Sequence, residues 1–186
     1  MNTDNQIMMD VKSDNFDKLG ILFERHKKNL FGFFYKITYD RDLSEDMIQD
    51  VFIRILKYRE SFRGYGKFST WMYSIAHNIS IDHFRKQKNL KEDPEVLNNV
   101  ESYDYQQYII KNEELDILNR AMFKLVPEKR EILILSKIDG LKYKELGGIL
   151  NCSETAVKVR IFRALKELRD IYSKMEVPEN ETKNAG

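Results

Sequence analysis

Thr155, Lys158, Val159, Arg160, Phe162, Arg163 and Lys166 lie in one short stretch and mix a hydroxyl, four cations and two apolar groups. At about 100° per residue, Val157, Ile161, Ala164 and Leu168 form one inward stripe of a helix, while Thr155, Val159, Phe162, Arg163 and Lys166 fall opposite. A purely solvated face has no use for Val159 and Phe162 between Arg and Lys. A face that enters a major groove does: apolar groups touch thymine methyls, and the cations reach guanine edges or phosphates.

The residues just before supply a turn. Asn151 stands where a helix C-terminus needs a residue tolerant of the left-handed conformation, and Ser153 can cap the next helix through its hydroxyl. The capping box is incomplete, because Ala156 replaces Glu or Gln three residues later. With Tyr143 and Lys144 opening the preceding short helix, the pattern is helix, tight turn, capped basic helix, as in a helix-turn-helix. The competing reading is a helical hairpin with a solvated charged face.

A second chemistry-bearing stretch pairs the aromatics Phe62, Tyr65, Phe68, Trp71 and Tyr73 with the cations Arg63, Lys67, Arg85 and Lys86. Single-stranded DNA needs this mixture: unpaired bases stack on rings while cations follow the phosphates. A base taken out of the stack also needs an amide or backbone partner, which Asn78 can supply. The competing reading has Phe68 and Trp71 closing a small core. Gly64-Tyr-Gly66 is not a dinucleotide fingerprint, since Ser69 stands where the third glycine belongs and no strand precedes it.

These stretches need helices to hold them. With three prolines and eight glycines in 186 residues and no long alternating pattern, the chain reads as all-α. Residues 16–38 carry Phe16, Leu19, Leu22, Phe23, Leu30, Phe33, Phe34 and Ile37 at near-helical spacing. Ser44 is the expected cap of a helix whose stripe is Met47, Ile48, Val51, Phe52, Ile55 and Leu56. Its other face bears Asp46, Gln49, Asp50, Arg54 and Lys57. Ser69 is the expected cap of the next helix, with Met72, Ile75, Ala76, Ile79 and His83 inward. After an acidic stretch, a helical block starts near Asn112, is broken and restarted by Pro127, and stops at Asp139-Gly140. The expected organisation is a mobile tail over 1–15, a helical domain over 16–88, a linker over 89–111, a helix-turn-helix domain over 112–174 and a tail over 175–186.

The net charge of +1 hides an uneven distribution. Basic Arg85, Lys86, Lys88 and Lys91 precede a linker rich in Glu and Asp, an asymmetry that suits nucleic-acid binding. The single cysteine, Cys152, allows no disulfide framework and reads as a small core residue. No apolar run approaches the length of a membrane span and residues 1–11 are not signal-like, so the expectation is a cytoplasmic protein without membrane insertion.

Taken together, Asp46-Met-Ile-Gln-Asp-Val-Phe-Ile-Arg-Ile-Leu56, Phe68-Ser-Thr-Trp-Met-Tyr-Ser-Ile-Ala-His-Asn78, Val126-Pro-Glu-Lys-Arg-Glu-Ile132 and Tyr143-Lys-Glu-Leu146 with Ala156-Val-Lys-Val-Arg-Ile-Phe-Arg-Ala164 resemble bacterial RNA polymerase sigma factors. The length and the two-domain layout resemble the extracytoplasmic-function (ECF) group. The resemblance implies that Asp46, Gln49, Asp50 and Arg54 dock on core polymerase, a partner met through its β and β′ subunits. It implies that Phe62, Arg63, Tyr65, Lys67, Phe68, Trp71, Asn78, Arg85 and Lys86 handle the melted −10 element. Duplex −35 DNA falls to Tyr143, Lys144, Ser153, Thr155, Lys158, Val159, Arg160, Phe162, Arg163 and Lys166. It also implies an anti-sigma factor as partner and a linker threaded through the RNA path, although a solvated tether explains the linker's charge equally well.

Three departures stand out. Ala156 and Val159 replace frequent hydroxyl residues, Gly147-Gly148 interrupts the first helix of the motif, and His77 replaces a frequently basic residue. The alternative to a dissociable initiation factor is a helix-turn-helix regulator that acts without core polymerase; the aromatic loop beside a basic helix argues against it. His26, His77 and His83 have no zinc-type spacing with one another or with Cys152. There is no phosphate-binding glycine loop or nucleophile elbow. The chain therefore reads as a non-enzyme needing no cofactor and no metal.

Overall fold

A computed structural model describes residues 2–91, 113–137 and 141–176. Among these the chain is entirely helical and has no strand. The α-helices are α1 (Asp4–Lys12), α2 (Leu19–Thr38), α3 (Arg41–Lys57), α4 (Phe68–Lys91), α5 (Glu113–Lys124), α6 (Pro127–Leu135), α7 (Tyr143–Ile149) and α8 (Glu154–Glu176). The expected linker and the Asp139-Gly140 stop lie outside the described residues.

Helix α2 packs on α3 and α3 on α4, forming the N-terminal bundle. Its core holds Leu22, Leu30, Phe33, Phe34, Ile37, Val51, Ile55, Met72 and Ala76, all buried. The stripes read from α3 and α4 are the ones that face inward, Leu56 and His83 only partly so. In the C-terminal block α5 and α6 both pack on α8, and α7 packs across it. Val157, Ile161 and Ala164 are buried there as their spacing required. Pro127 opens α6 in the first helical position, where its missing N–H costs nothing.

Three local expectations are corrected. Residues 4–12, read as tail, form α1, with Ile7, Met8 and Val11 in the core. A capping box of Thr3 and Gln6 starts it. The cap of α3 is Asp40, whose carboxylate accepts from the Leu43 amide at 2.9 Å. Ser44 sits inside that helix, buried, and donates back to the Asp40 carbonyl. Ser69 likewise lies inside α4: the amide that needs a cap is that of Phe68, and it donates at 2.8 Å to Asn5 Oδ1 of α1. Local sequence offered a plausible hydroxyl in both cases, but the acceptor came from four residues earlier, at Asp40, or from across the fold, at Asn5.

Gly147 and Gly148 do not interrupt α7, which runs through both. A Cβ on Gly147 would stand 2.6 Å from the Cys152 carbonyl oxygen, and the Cys152 amide donates to the Gly147 carbonyl at 2.9 Å. Gly147 thus lets the turn fold back onto its own helix. Gly148 faces open space.

Candidate nucleic-acid interface

The helix-turn-helix is built as its residues demanded. Asn151 adopts a left-handed φ of 49° and Ser153 Oγ accepts from the Ala156 amide at 3.1 Å. On α8, Phe162 is 70% exposed and Val159 is exposed beside it, flanked by exposed Thr155, Arg160, Arg163 and Lys166. Lys158 pairs with Glu154 at 2.9 Å, one turn back, and its ammonium lies 5.8 Å from the ring centroid of Tyr143 on α7. That contact ties the start of α7 to α8. Lys144 is exposed next to Tyr143. The structure therefore assembles every residue expected on this face, with a large uncovered ring at its centre.

The second face is more divided. Phe62 and Phe68 are only 2% and 1% exposed, so neither can offer a ring to a base in this fold. Both pack on half-buried Trp71, at ring-centroid distances of 5.2 and 6.2 Å. For these two phenylalanines the core reading holds. Tyr65, in contrast, stands 90% exposed between Gly64 and Gly66. Both glycines adopt positive φ, 71° and 85°, which is the conformation that lifts the tyrosine off the surface. Arg63 and Lys67 flank it, exposed, and Asn78 and Lys86 are exposed along α4. Arg85 is tied to Asp82 at 3.0 Å.

Helix α1 holds this loop, a role the sequence reading missed. Asn5 Nδ2 donates to the carbonyls of Gly64 at 3.3 Å and Gly66 at 2.6 Å, while its oxygen caps α4. Lys12 Nζ donates to the carbonyls of Glu60 and Phe62, each at 3.0 Å. The available signal was the Thr3–Gln6 box followed by Ile7, Met8 and Val11, a short amphipathic helix inside a polar segment.

On α3, Asp46, Gln49 and Asp50 are exposed, and Ile53 joins them at i+7 with 62% of its surface uncovered. Arg54 turns away: it is half-buried and bonds Asp82 of α4 at 3.2 Å. Ile53 was absent from the expected set because a polar face with one apolar member looks solvated in sequence.

The C-terminal block meets the N-terminal bundle at α4. Glu145 of α7 accepts from Lys67 Nζ and from Thr70 Oγ1 of α4, both at 3.4 Å. Glu131 of α6 lies 2.9 Å from His77 Nδ1 of α4. Burial pushes the Glu131 carboxyl up from its ordinary range, against the His77 hydrogen bond that pulls it down. Beside this pair a cleft of ≈ 460 Å³ is lined by His77, Ile81, Glu128, Arg160 and Arg163 among others. No group of three or more His, Cys, Asp or Glu side chains able to hold a metal occurs among the described residues. No described helix is long and apolar enough to cross a membrane.

Comparison with known proteins agrees with this geometry. The sigma-70 region 2 family matches residues 22–90, and sigma-70 region 4 matches residues 115–168. The chain is 31% identical over 170 residues to the ECF RNA polymerase sigma factor SigW of Bacillus subtilis (strain 168), covering 86% of this chain and 91% of that one. It is 28% identical over 159 residues to SigX of the same organism, covering 80% of each. In fold it is similar to CnrH, solved in complex with the cytosolic domain of CnrY, with a TM-score of 0.71 at 22% identity over 93% of this chain and 99% of that one. RpoE from Bartonella quintana, solved with the anti-sigma factor NepR, superposes with a TM-score of 0.66 at 22% identity over 85% of this chain and 98% of that one. With regions 2 and 4 matched in this order along the chain, it belongs to the ECF family of RNA polymerase sigma factors, non-enzymatic initiation factors that direct the polymerase to promoters.

Proposed function

We propose that this sigma factor divides its work among three surfaces. Asp46, Gln49, Asp50 and Ile53 of α3 dock on core polymerase, with Ile53 as the apolar anchor of an otherwise polar face. Arg54 supports that face through Asp82 rather than by direct contact. Tyr65 stacks on an unpaired base of the −10 strand while Asn78 bonds a base edge and Arg63, Lys67 and Lys86 follow its phosphates. Buried Phe62 and Phe68 hold the loop from beneath. On α8, Phe162 and Val159 meet thymine methyls in the −35 major groove, with Arg160, Arg163 and Lys166 on guanine edges or phosphates.

Strand opening in this scheme needs no chemistry. Capturing a flipped base offsets the few kcal/mol of unstacking with stacking of about 1–3 kcal/mol per base. The work takes place in the cytoplasm, where core polymerase and promoter are found. An anti-sigma factor belongs to the same proposal, supported by an open groove of ≈ 580 Å³ in which Lys28, Lys36 and Lys137 surround Leu118, Met122 and Leu165.

The observation that carries this reading is the pairing of two uncovered aromatic residues, Tyr65 and Phe162, each set among cations on a separate domain. One set of variants tests it on three readouts. Ile53→Asp is expected to weaken core polymerase binding at least tenfold and to leave duplex binding alone. Arg163→Ala is expected to cost about 1–3 kcal/mol of duplex −35 affinity. Asn78→Ala is expected to spare both and to slow open-complex formation. Equal losses of all three variants on a single readout would contradict the division.

A further inference from the structure

Tyr65 stands between two glycines, which solves one problem and creates another. Positive φ at Gly64 and Gly66 lifts the ring off the surface, yet glycine loses more conformational freedom on ordering than any other residue. A loop that presents one ring reproducibly therefore needs a hold from outside its own segment. Asn5 of α1 supplies it with a single carboxamide. Its Nδ2 donates to the carbonyls on either side of Tyr65, Gly64 at 3.3 Å and Gly66 at 2.6 Å. Its Oδ1 accepts at 2.8 Å from the amide of Phe68, the first residue of α4. Asn78 lies further along that same helix. One side chain thus joins the residue that stacks on a base to the helix that carries the residue bonding a base edge. Helix α1 is itself braced. Asp4 accepts from Arg25 Nη1 and lies against His26 Nε2, both at 2.7 Å, and the His26 ring sits 5.4 Å from that of Phe68. Met9 Sδ lies beneath Gly64, 3.7 Å from where a Cβ there would stand. All of α1 precedes residues 22–90, the segment matched to region 2.

We infer that Asn5 is a positioning residue for −10 recognition: its carboxamide fixes Tyr65 relative to Asn78 before any strand arrives, which makes α1 part of the promoter-opening machinery. This rests on the roles given above to Tyr65 and Asn78. Asparagine is the shortest side chain with two N–H donors and an acceptor, and all three bonds use that set at once. Aspartate keeps the acceptor and loses both donors. The benefit is preorganisation, because a strand that meets a fixed ring and a fixed amide loses none of its affinity to ordering them. Fixing the backbone of one residue in advance is worth about fivefold or more in affinity. Released, the loop brings three such residues at its tip, two of them glycine.

The test uses the full-length chain, alone and with core polymerase on the DNA upstream of its own operon. Asn5→Asp keeps the oxygen that accepts from Phe68 and sets a negative charge at the N-terminus of α4, where it is favourable, but removes both donors to the loop. This variant is expected to melt at the parent temperature and to be cut by trypsin after Arg63 about fivefold faster. Opening of the promoter, read by permanganate attack on unpaired thymines, is expected to slow about tenfold, with core polymerase binding unchanged. Tyr65→Ala is expected to slow opening comparably, and adding Asn5→Asp to it is expected to cost nothing more, because the ring being held is gone. An Asn5 that merely stabilises the fold would lower the melting temperature and add its loss to that of Tyr65→Ala. Lys12 donates to the carbonyls of Glu60 and Phe62 at the entry to the loop, away from the cap of α4. Lys12→Met is therefore expected to show part of both effects, so a folding defect at Asn5 leaves the test intact. Parent-level opening by Asn5→Asp and Lys12→Met, with Tyr65→Ala impaired, overturns this proposal and leaves the three-surface scheme standing; so do additive losses. Normal opening by Tyr65→Ala overturns the proposal together with the role of Tyr65 beneath it.

Discussion

Gly147→Ala is expected to destabilise the chain by about 1–3 kcal/mol and to abolish duplex −35 binding, whereas Gly148→Ala, one residue on, is expected to stabilise it by about 0.5–1 kcal/mol. The opposite signs follow from what each Cβ meets. At Gly147 it would stand 2.6 Å from the backbone carbonyl oxygen of Cys152, and no flexible side chain is there to yield. The turn would have to open, breaking the Cys152–Gly147 hydrogen bond and moving Ser153, the cap of α8. The reading helix would then start from a displaced origin. At Gly148 the new methyl meets nothing within 4 Å, and the only consequence is the better helix propensity of alanine. Thermal melts of the two variants check this. Gly147→Ala melting at or above Gly148→Ala would show that the close approach does not constrain the turn.

Arg130→Met is expected to cost more, on the order of 3–5 kcal/mol, from a total stability that is commonly 5–15 kcal/mol. The Arg130 guanidinium is buried with no carboxylate bonded to it among the described residues. It donates to the carbonyls of Met122 at 3.0 Å, Leu125 at 3.0 Å and Ile37 at 2.6 Å, and to that of Phe123. Met122 and Phe123 lie in the last turn of α5 and Ile37 in the last turn of α2, where carbonyls have no partner within their own helix. Two negative helix ends therefore converge on one cation. Tyr39 and Phe123 cover it, with ring centroids 5.7 and 4.8 Å from the guanidinium carbon. Methionine fills the space and leaves those acceptors unsatisfied. Lysine keeps the charge but cannot reach four carbonyls in a fork, so Arg130→Lys is expected to recover only part of the loss. Denaturant unfolding measures both variants, and an Arg130→Met protein within about 1 kcal/mol of the parent would refute this role.

These two residues mark where the sequence was legible and where it was not. Asn151, Ser153 and the stripe of Val157, Ile161 and Ala164 act through local backbone chemistry and helical periodicity, so their positions followed from spacing alone. The all-helical fold came with them. Arg130 gave no signal, because its partners are main-chain carbonyls and every residue has one. The same holds for Asn5, which caps a helix more than sixty residues away. Phe62 and Phe68 show a different blindness. Aromatic residues beside cations have one pattern in sequence, whether a ring is turned to solvent, as with Tyr65, or into the core. Only the glycine φ values of the loop and the clamp from α1 decide which ring is presented. Gly147 was misread for a related reason: helix propensity is a local cost, and the close approach that requires glycine comes from beyond the helix.

The three-surface scheme turns on one property, that this chain gives core polymerase a promoter preference it otherwise lacks. Run-off transcription with purified core enzyme from the source organism, on DNA upstream of the chain's own operon, measures it directly. The expected result is a discrete transcript present only when the chain is added, lost with Ile53→Asp and reduced with Asn78→Ala. A chain that stays off core polymerase in a pull-down, yet shifts the same duplex by itself, would contradict the account and mark the helix-turn-helix as that of a regulator acting alone.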